Sequence, residues 1–289
     1  MNDLIRKLRK HEILIRQRIS NRMQGNFHSV FKGSGIEFDD VRAYQYGDDV
    51  RTVDWIVSAK GHGAYVKTFK EEKEQSVLFV LDVSASQEIG RNGNRKIDIA
   101  KEICGVLALS AVKESGHVGL LCYSDQKELY IKPNKGDKQA FQIIKKIFEL
   151  IPKACATNIN NCLKLVLGTL KRKSVVILIS DFIDENYDRN LIALAQKHDL
   201  VVVHISEARE QFFPKLGIIP LFDKESKKTF WVNSFSKKFR QNMNKELELK
   251  KTNLEALCKK YSANYLWIDA QEDYISKLVT LFRIRNYSK

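Results

Sequence analysis

The sequence predicts an α/β protein built on a doubly wound, mostly parallel sheet. Three observations carry that prediction. Short apolar runs such as "SVLFVLD", "SVVILISDF" and "LVVVHIS" are continuous rather than alternating, as expected of strands covered on both faces. Segments with helical apolar stripes separate them, which is the pattern of parallel crossovers. Polar side chains then gather at strand ends: Asp82, Ser84 and Ser86 follow the first run and Asp181 follows another. In open α/β sheets, ligands bind beyond the carboxyl ends of the strands.

Taken in order, residues 1–23 read as a basic helix. Residues 25–74 hold several glycines and alternating Asp and Arg, which predicts turns, short strands and ion pairs rather than a long helix. From residue 76 the strand–helix alternation begins. "SVLFVLDV" is a strand, and "RKIDIAKEICGVLALSAVKES" is a helix apolar on most sides and so mostly buried. "HVGLLCYS" and "KELYIKP" are strands joined by a short polar turn. "DKQAFQIIKKIFELI" and "NINNCLKLVLGTLKR" are helices, and "SVVILISDF" is a central strand. "DRNLIALAQKHD" is a helix, followed by the strand "LVVVHIS". "GIIPLFDKESKKTFWVN" predicts a β-hairpin, an insertion at about residues 212–234. A charged helix over roughly 236–262, a strand in "NYLWIDA" and a terminal helix in "DYISKLVTLFRIR" complete the sheet. The expected organisation is an N-terminal extension, 1–75, and an α/β domain, 76–289.

With 289 residues and 44% hydrophobic content, the chain can bury a large core. No apolar run approaches the ~18 residues of a membrane span. The basic N-terminus offers only "ILI" where a signal peptide needs an apolar core, so the expected compartment is the cytosol. The 5 cysteines, Cys104, Cys122, Cys155, Cys162 and Cys258, lack metal-finger spacing and fit reduced core positions. The net charge of +14 could serve nucleic acid, anionic lipid or an acidic protein. No zinc-finger or RNP-type motif favours nucleic acid, although a basic nucleic-acid-binding protein stays an alternative.

Asp82, Ser84, Ser86 and Asp181, with Thr157 in the loop "CATNIN", bring two carboxylates and three hydroxyls to one sheet edge. All are hard oxygen donors suited to Mg²⁺ or Mn²⁺. The competing structural reading has the aspartates capping helices and the serines holding turns. In "YGDDVRTVDW", Asp48, Asp49, Arg51 and Asp54, with Arg42 nearby, have the makings of an ion-pair network. Gly47 allows a tight turn there. Trp55 is a large anchor expected to bury. The segment would be a structural collar or a docking surface. The scattered histidines show no metal spacing, and the P-loop, nucleophile-elbow and zinc-protease motifs are missing.

The ordered set of D-x-S-x-S, Thr and strand-terminal Asp resembles the metal-ion-dependent adhesion site of von Willebrand factor A domains. The resemblance implies Ser84, Ser86 and Thr157 as direct ligands of a divalent ion, with Asp82 and Asp181 acting mainly through water. It also implies an open position for a carboxylate from a protein partner. The stretch "GSGIEFDDVRAYQYGDDVRTVDWIVSAKGHGAYVKTFKEEKEQ", continued by D-x-S-x-S, "SDF" and "LFDKES", resembles the bacterial family called domain of unknown function 58. Lys60 stands where that family usually has Arg, Gln87 where Met is common and Ile56 where a polar residue is usual. The family resemblance implies partnership with a MoxR-type AAA+ ATPase, and hence an adaptor or chaperone-like role without catalysis. "LDVSAS" also resembles the strand end of haloacid-dehalogenase enzymes, with Ser84 at a position where those need Asp. A Mg²⁺-dependent hydrolase is therefore the enzymatic alternative.

Overall fold

The structure is a computed structural model that describes residues 2–20, 37–60, 63–70, 76–91, 93–113, 116–207, 216–223 and 228–287. The chain divides into two units: Lys32–Gln75, and Met1–Phe31 together with Ser76–Lys289.

Helix α1 (Asn2–Ser20) opens the larger unit. In the smaller unit, strand β1 (Glu37–Ala43) pairs antiparallel with β2 (Tyr65–Lys70). A 3-10 turn at Val50–Thr52 and the short helix α2 (Trp55–Lys60) lie between them. Val53 and Val66 face each other across a bridge and are the buried pair of this hairpin. The expected turns and short strands are present here. Residues 21–36 and 71–75, which carry parts of the signature, lie outside the described residues.

The rest of the chain builds the α/β domain. Strand β3 (Ser76–Asp82) is followed by a 3-10 turn, Ala85–Glu88, and by the two-residue strands β4 (Gly90–Arg91) and β5 (Asn94–Arg95). Helix α3 (Lys96–Lys113), strands β6 (His117–Tyr123) and β7 (Lys127–Asn134), and helices α4 (Asp137–Glu149) and α5 (Ile159–Thr169) come next. Strand β8 (Val175–Ser180), helix α6 (Asp188–Lys197) and strand β9 (Asp199–Ser206) follow. Strands β10 (Ile218–Asp223) and β11 (Lys228–Asn233) form the expected antiparallel hairpin, whose tip, 224–227, lies outside the described residues. Helix α7 (Lys237–Lys260), strand β12 (Asn264–Asp269) and helix α8 (Tyr274–Tyr287) close the chain.

The six-stranded sheet has the order β12-β9-β8-β3-β6-β7. Its neighbours are parallel except β6 and β7. Only three residues separate β6 from β7, too few for a crossover, so that pair must be antiparallel. Side-chain alternation along β3 divides the core. Val77, Phe79 and Leu81 join the cluster of α3, α4 and α8, while Leu78 and Val80 join that of α5, α6 and α7. The chain winds from β3 to β6 on one side and to β8, β9 and β12 on the other. The topological switch point therefore falls between β3 and β8, where the crevice of a doubly wound sheet lies.

Helix α1, expected with the N-terminal extension, belongs to the α/β domain. Its Leu8 is fully buried in the cluster of α3, α4 and α8. A Cβ added at Gly105 would stand 2.9 Å from the Leu8 Cδ1. Lys7 pairs with Glu102, Lys113 with Glu12 at 2.7 Å, and His11 Nδ1 lies 2.7 Å from the Tyr274 hydroxyl. The many basic residues of α1 hide a narrow apolar stripe at Leu4 and Leu8, one turn apart.

Candidate functional site

The site is built where β3 and β8 end. Asp82 is the last residue of β3 and fully buried. Its Oδ1 accepts from the Ser84 amide at 2.9 Å and its Oδ2 from the Ser180 hydroxyl at 2.6 Å. Burial first, and then the neighbouring Asp181 carboxylate, push the Asp82 carboxyl well above the usual carboxylate range; the Ser180 and Ser84 hydrogen bonds oppose the shift. Ser84 Oγ and Ser86 Oγ stand 3.1 Å apart, Ser84 buried and Ser86 half-buried.

Backbone hydrogen bonds lace the loops together. The Ala85 amide donates to the Cys155 carbonyl at 2.9 Å, tying the serine loop to the loop of Thr157. The Asn158 amide donates to the Ser124 carbonyl at 3.1 Å, and the Ile159 amide to Asp184 Oδ2, beyond β8, at 2.7 Å. Glu128 holds the start of the same loop through the Lys153 and Ala154 amides. Thr157, half-buried, therefore sits on a segment fixed from three sides. Asp82 contacts Ser84, Ser84 contacts Ser86, and Thr157 and Asp181 lie on segments bonded to theirs.

Asp181 introduces what the sequence reading missed. Its Oδ2 is 2.7 Å from Lys96 Nζ, and the side chains are 0% and 1% exposed. Lysine is almost never fully buried unless paired. Lys96 is the first residue of α3, where the helix dipole disfavours a cation. A lysine opening a helix that is apolar on most sides was the available signal. Its neighbour Arg95 turns to Asp98 instead, with two hydrogen bonds of 2.9 Å.

After Asp181 the chain runs as an irregular loop. Phe182 adopts φ 54°, left-handed backbone that a non-glycine residue occupies only when its surroundings hold it there. The Phe182 amide bonds Ser180 Oγ at 3.1 Å, and the ring is buried against Tyr187 and His204. His204 is itself buried. Burial pulls its pKa down to about 4, so it is neutral at pH 7, and its Nδ1 lies 2.8 Å from the Tyr265 hydroxyl. A small crevice beside Asp181 is lined by Ile183, His204, Lys250, Lys251 and Trp267, among others. The Lys251 and Lys277 ammoniums lie 3.8 and 4.4 Å from the centre of the Trp267 ring, a cationic rim on an aromatic base.

In the smaller unit the ion-pair network takes a definite form. Arg42 binds Asp48 bidentately, with both bonds at 2.7 Å, and Asp48 also accepts from the Gln45 amide. The Arg42 hydrogen bond, ahead of the others, pulls the Asp48 carboxyl down to about 2. Gly47, at φ 104°, makes the turn between them. Asp49 caps the 3-10 turn by accepting from the Arg51 amide at 3.0 Å. Asp54 accepts from the Ile56 and Val57 amides at the start of α2 and lies 3.6 Å from Lys67. Trp55 corrects an expectation: it is 70% exposed, with Ile56 equally open beside it. Helix α2 has only 6 residues, and the hairpin fills its small interior with Val53 and Val66. Trp55→Ala is accordingly expected to change stability by no more than about 0.5 kcal/mol, measured as the denaturant midpoint; a loss above 2 kcal/mol would show the indole buried after all.

Four of the five cysteines, Cys104, Cys122, Cys162 and Cys258, are buried free thiols, and Cys155 is exposed. Among the described residues no helix is long and apolar enough to cross a membrane. Nor do three or more His, Cys, Asp or Glu side chains gather as a metal cluster among them, so an ion at the strand ends would rely on hydroxyl donors.

Residues 40–253 match the family described as "Protein of unknown function DUF58". The chain belongs to the DUF58 family. The matched region runs from the β1–β2 unit through both strand ends into α7. A curated relative, "Uncharacterized protein Rv1480" of Mycobacterium tuberculosis, is 26% identical over 226 residues, covering 76% of this DUF58 chain and 70% of its own length. "Uncharacterized protein Mb1516" of Mycobacterium bovis matches to the same extent. Among solved structures, an aerotolerance-related membrane protein of Bacteroides fragilis shares 13% identity at a TM-score of 0.46, covering 74% of this chain and 100% of that one. The SpRpn10 VWA domain shares 12% at a TM-score of 0.37, covering 71% and 93%. The sheet order and the antiparallel edge strand β7 make the α/β domain of this DUF58 protein a doubly wound, mostly parallel six-stranded sheet flanked by helices.

Proposed function

We propose that this DUF58 protein is a non-enzymatic protein-interaction module that engages an acidic group of a partner at the strand-end site with the help of a divalent cation. The observation that carries the reading is the convergence of the Ser84, Ser86 and Thr157 loops, cross-bonded at Ala85–Cys155, over the buried Asp82 and Asp181. The donor chemistry fits Mg²⁺ or Mn²⁺ on its hydroxyl side. Ser84, Ser86 and Thr157 would hold the ion, with Asp82 and Asp181 behind them. When bound, the ion would supply a Lewis-acidic position for a partner's carboxylate, because neutral hydroxyls leave most of its charge in place.

The chain's own residues serve the same end. Asp82 fixes the serine loop through the Ser84 amide and is itself fixed by Ser180. Lys251, which lines the neighbouring crevice over the Trp267 ring, favours an acidic partner. The resemblance to families encoded beside MoxR-type AAA+ ATPases makes such an ATPase the partner we propose, with this chain as adaptor. The hydrolase alternative loses support from the burial of Asp82: both of its oxygens are already hydrogen-bonded, and neither faces solvent as a phosphoryl acceptor would.

The test is a pulldown of the MoxR-type ATPase encoded nearest the gene for this chain. Capture should require Mg²⁺, fall with EDTA and fall with Thr157→Ala at unchanged circular dichroism. Capture that survives both treatments would move the interaction to another surface, such as the one bearing Trp55 and Ile56.

A further inference from the structure

We propose that Lys96 is the resident cation of the strand-end site, and that a divalent ion binds there in competition with its ammonium for Asp181. The inference rests on the reading of the strand end as a divalent-cation site and deepens it.

Geometry carries the argument. Lys96 Nζ is 2.7 Å from Asp181 Oδ2, with both side chains shut off from solvent. The pairing joins residues 85 apart in the sequence and is set by the fold. The β4–β5 turn brings the chain back, and the Lys96 amide is fixed to the Ile89 carbonyl at 3.1 Å. Arg95, bound to Asp98 through its amide and its guanidinium, faces the other way. The lysine is thus directed inward at a place where a helix N-terminus alone would select an anion.

Its effect on a second cation follows from charge. Of the two buried carboxylates, Asp82 and Asp181, it is Asp181 that pairs with the ammonium. A divalent ion on the serine hydroxyls finds Asp181 already neutralised and meets a like charge close by, in surroundings that screen it poorly. With Lys96 in place, divalent binding is weak. With the ammonium gone, the same oxygens face an uncompensated carboxylate.

The test compares Mn²⁺ binding to the full chain and to Lys96→Gln, which keeps an N–H donor for Asp181 but removes the charge. Binding is followed by electron paramagnetic resonance and by the Mn²⁺-dependent rise in melting temperature. We expect Lys96→Gln to bind Mn²⁺ tighter by about tenfold or more and to gain the larger rise. Equal affinity in the two proteins would overturn the competition and leave the divalent site standing. No binding by either would overturn both. Binding by Lys96→Gln alone would support the resident-cation role and remove the divalent ion from the native function. Should Lys96→Gln not fold, the wild-type protein decides. A buried, paired ammonium gives a resolvable ¹⁵N resonance, assigned by its loss in Lys96→Arg. That resonance should shift as Mg²⁺ is added; an unmoved resonance at saturating Mg²⁺ would contradict the proposal.

Discussion

Lys96→Met should destabilise the protein by about 3–5 kcal/mol, because it leaves the Asp181 carboxylate buried without its counter-charge. The effect belongs to the broken pair and not to the lost lysine. Lys96→Met combined with Asp181→Asn removes both charges and should recover most of the loss, since buried ion pairs are often replaced by neutral groups at little net cost. A double-mutant cycle in denaturant reads this directly. A single variant within about 1 kcal/mol of wild type would mean that the pair is open to water, and the buried-cation account would fail with it.

Leu8→Ala should cost about 2–5 kcal/mol, the range for emptying a buried leucine site. Leu8 is 0% exposed and lies against Gly105 of α3, so the cavity would open between α1 and the domain. The melting temperature should fall by roughly 2–4 °C per kcal/mol for a domain of this size. The close approach at Gly105 gives a second handle. Gly105→Ala alone crowds the Leu8 methyl, and combined with Leu8→Ala it fills part of the void, so the two changes should be less than additive. An unchanged melting curve for Leu8→Ala would place α1 outside the domain's cooperative unit.

These two positions also mark the limit of what could be read without the structure. The sheet was legible because parallel strands buried on both faces are continuous apolar runs, as in "SVVILIS". The polar strand ends stood out against them for the same reason, so Asp82 and Asp181 could be placed at one edge. Lys96 was hidden because a lysine beside Arg95 reads as solvated charge, and only tertiary packing turns one inward and the other out. Leu8 was hidden by the basic residues around it. The loop of Thr157 could be located but not its fixing by Asp184 and Glu128, whose carboxylates meet backbone amides far away in sequence. Trp55 was misjudged because aromatic size suggests burial, whereas a six-residue helix on a two-stranded hairpin offers no interior to receive it.

Whether the strand-end oxygens bind a divalent cation, as proposed, is decided by calorimetric titration of Mg²⁺ into the full chain and into Ser84→Ala with Ser86→Ala. Measurable binding to the wild type is expected, weakened by about tenfold or more in the double variant, with the circular dichroism spectrum unchanged. Equal binding by both proteins would show that these hydroxyls are not the ligands.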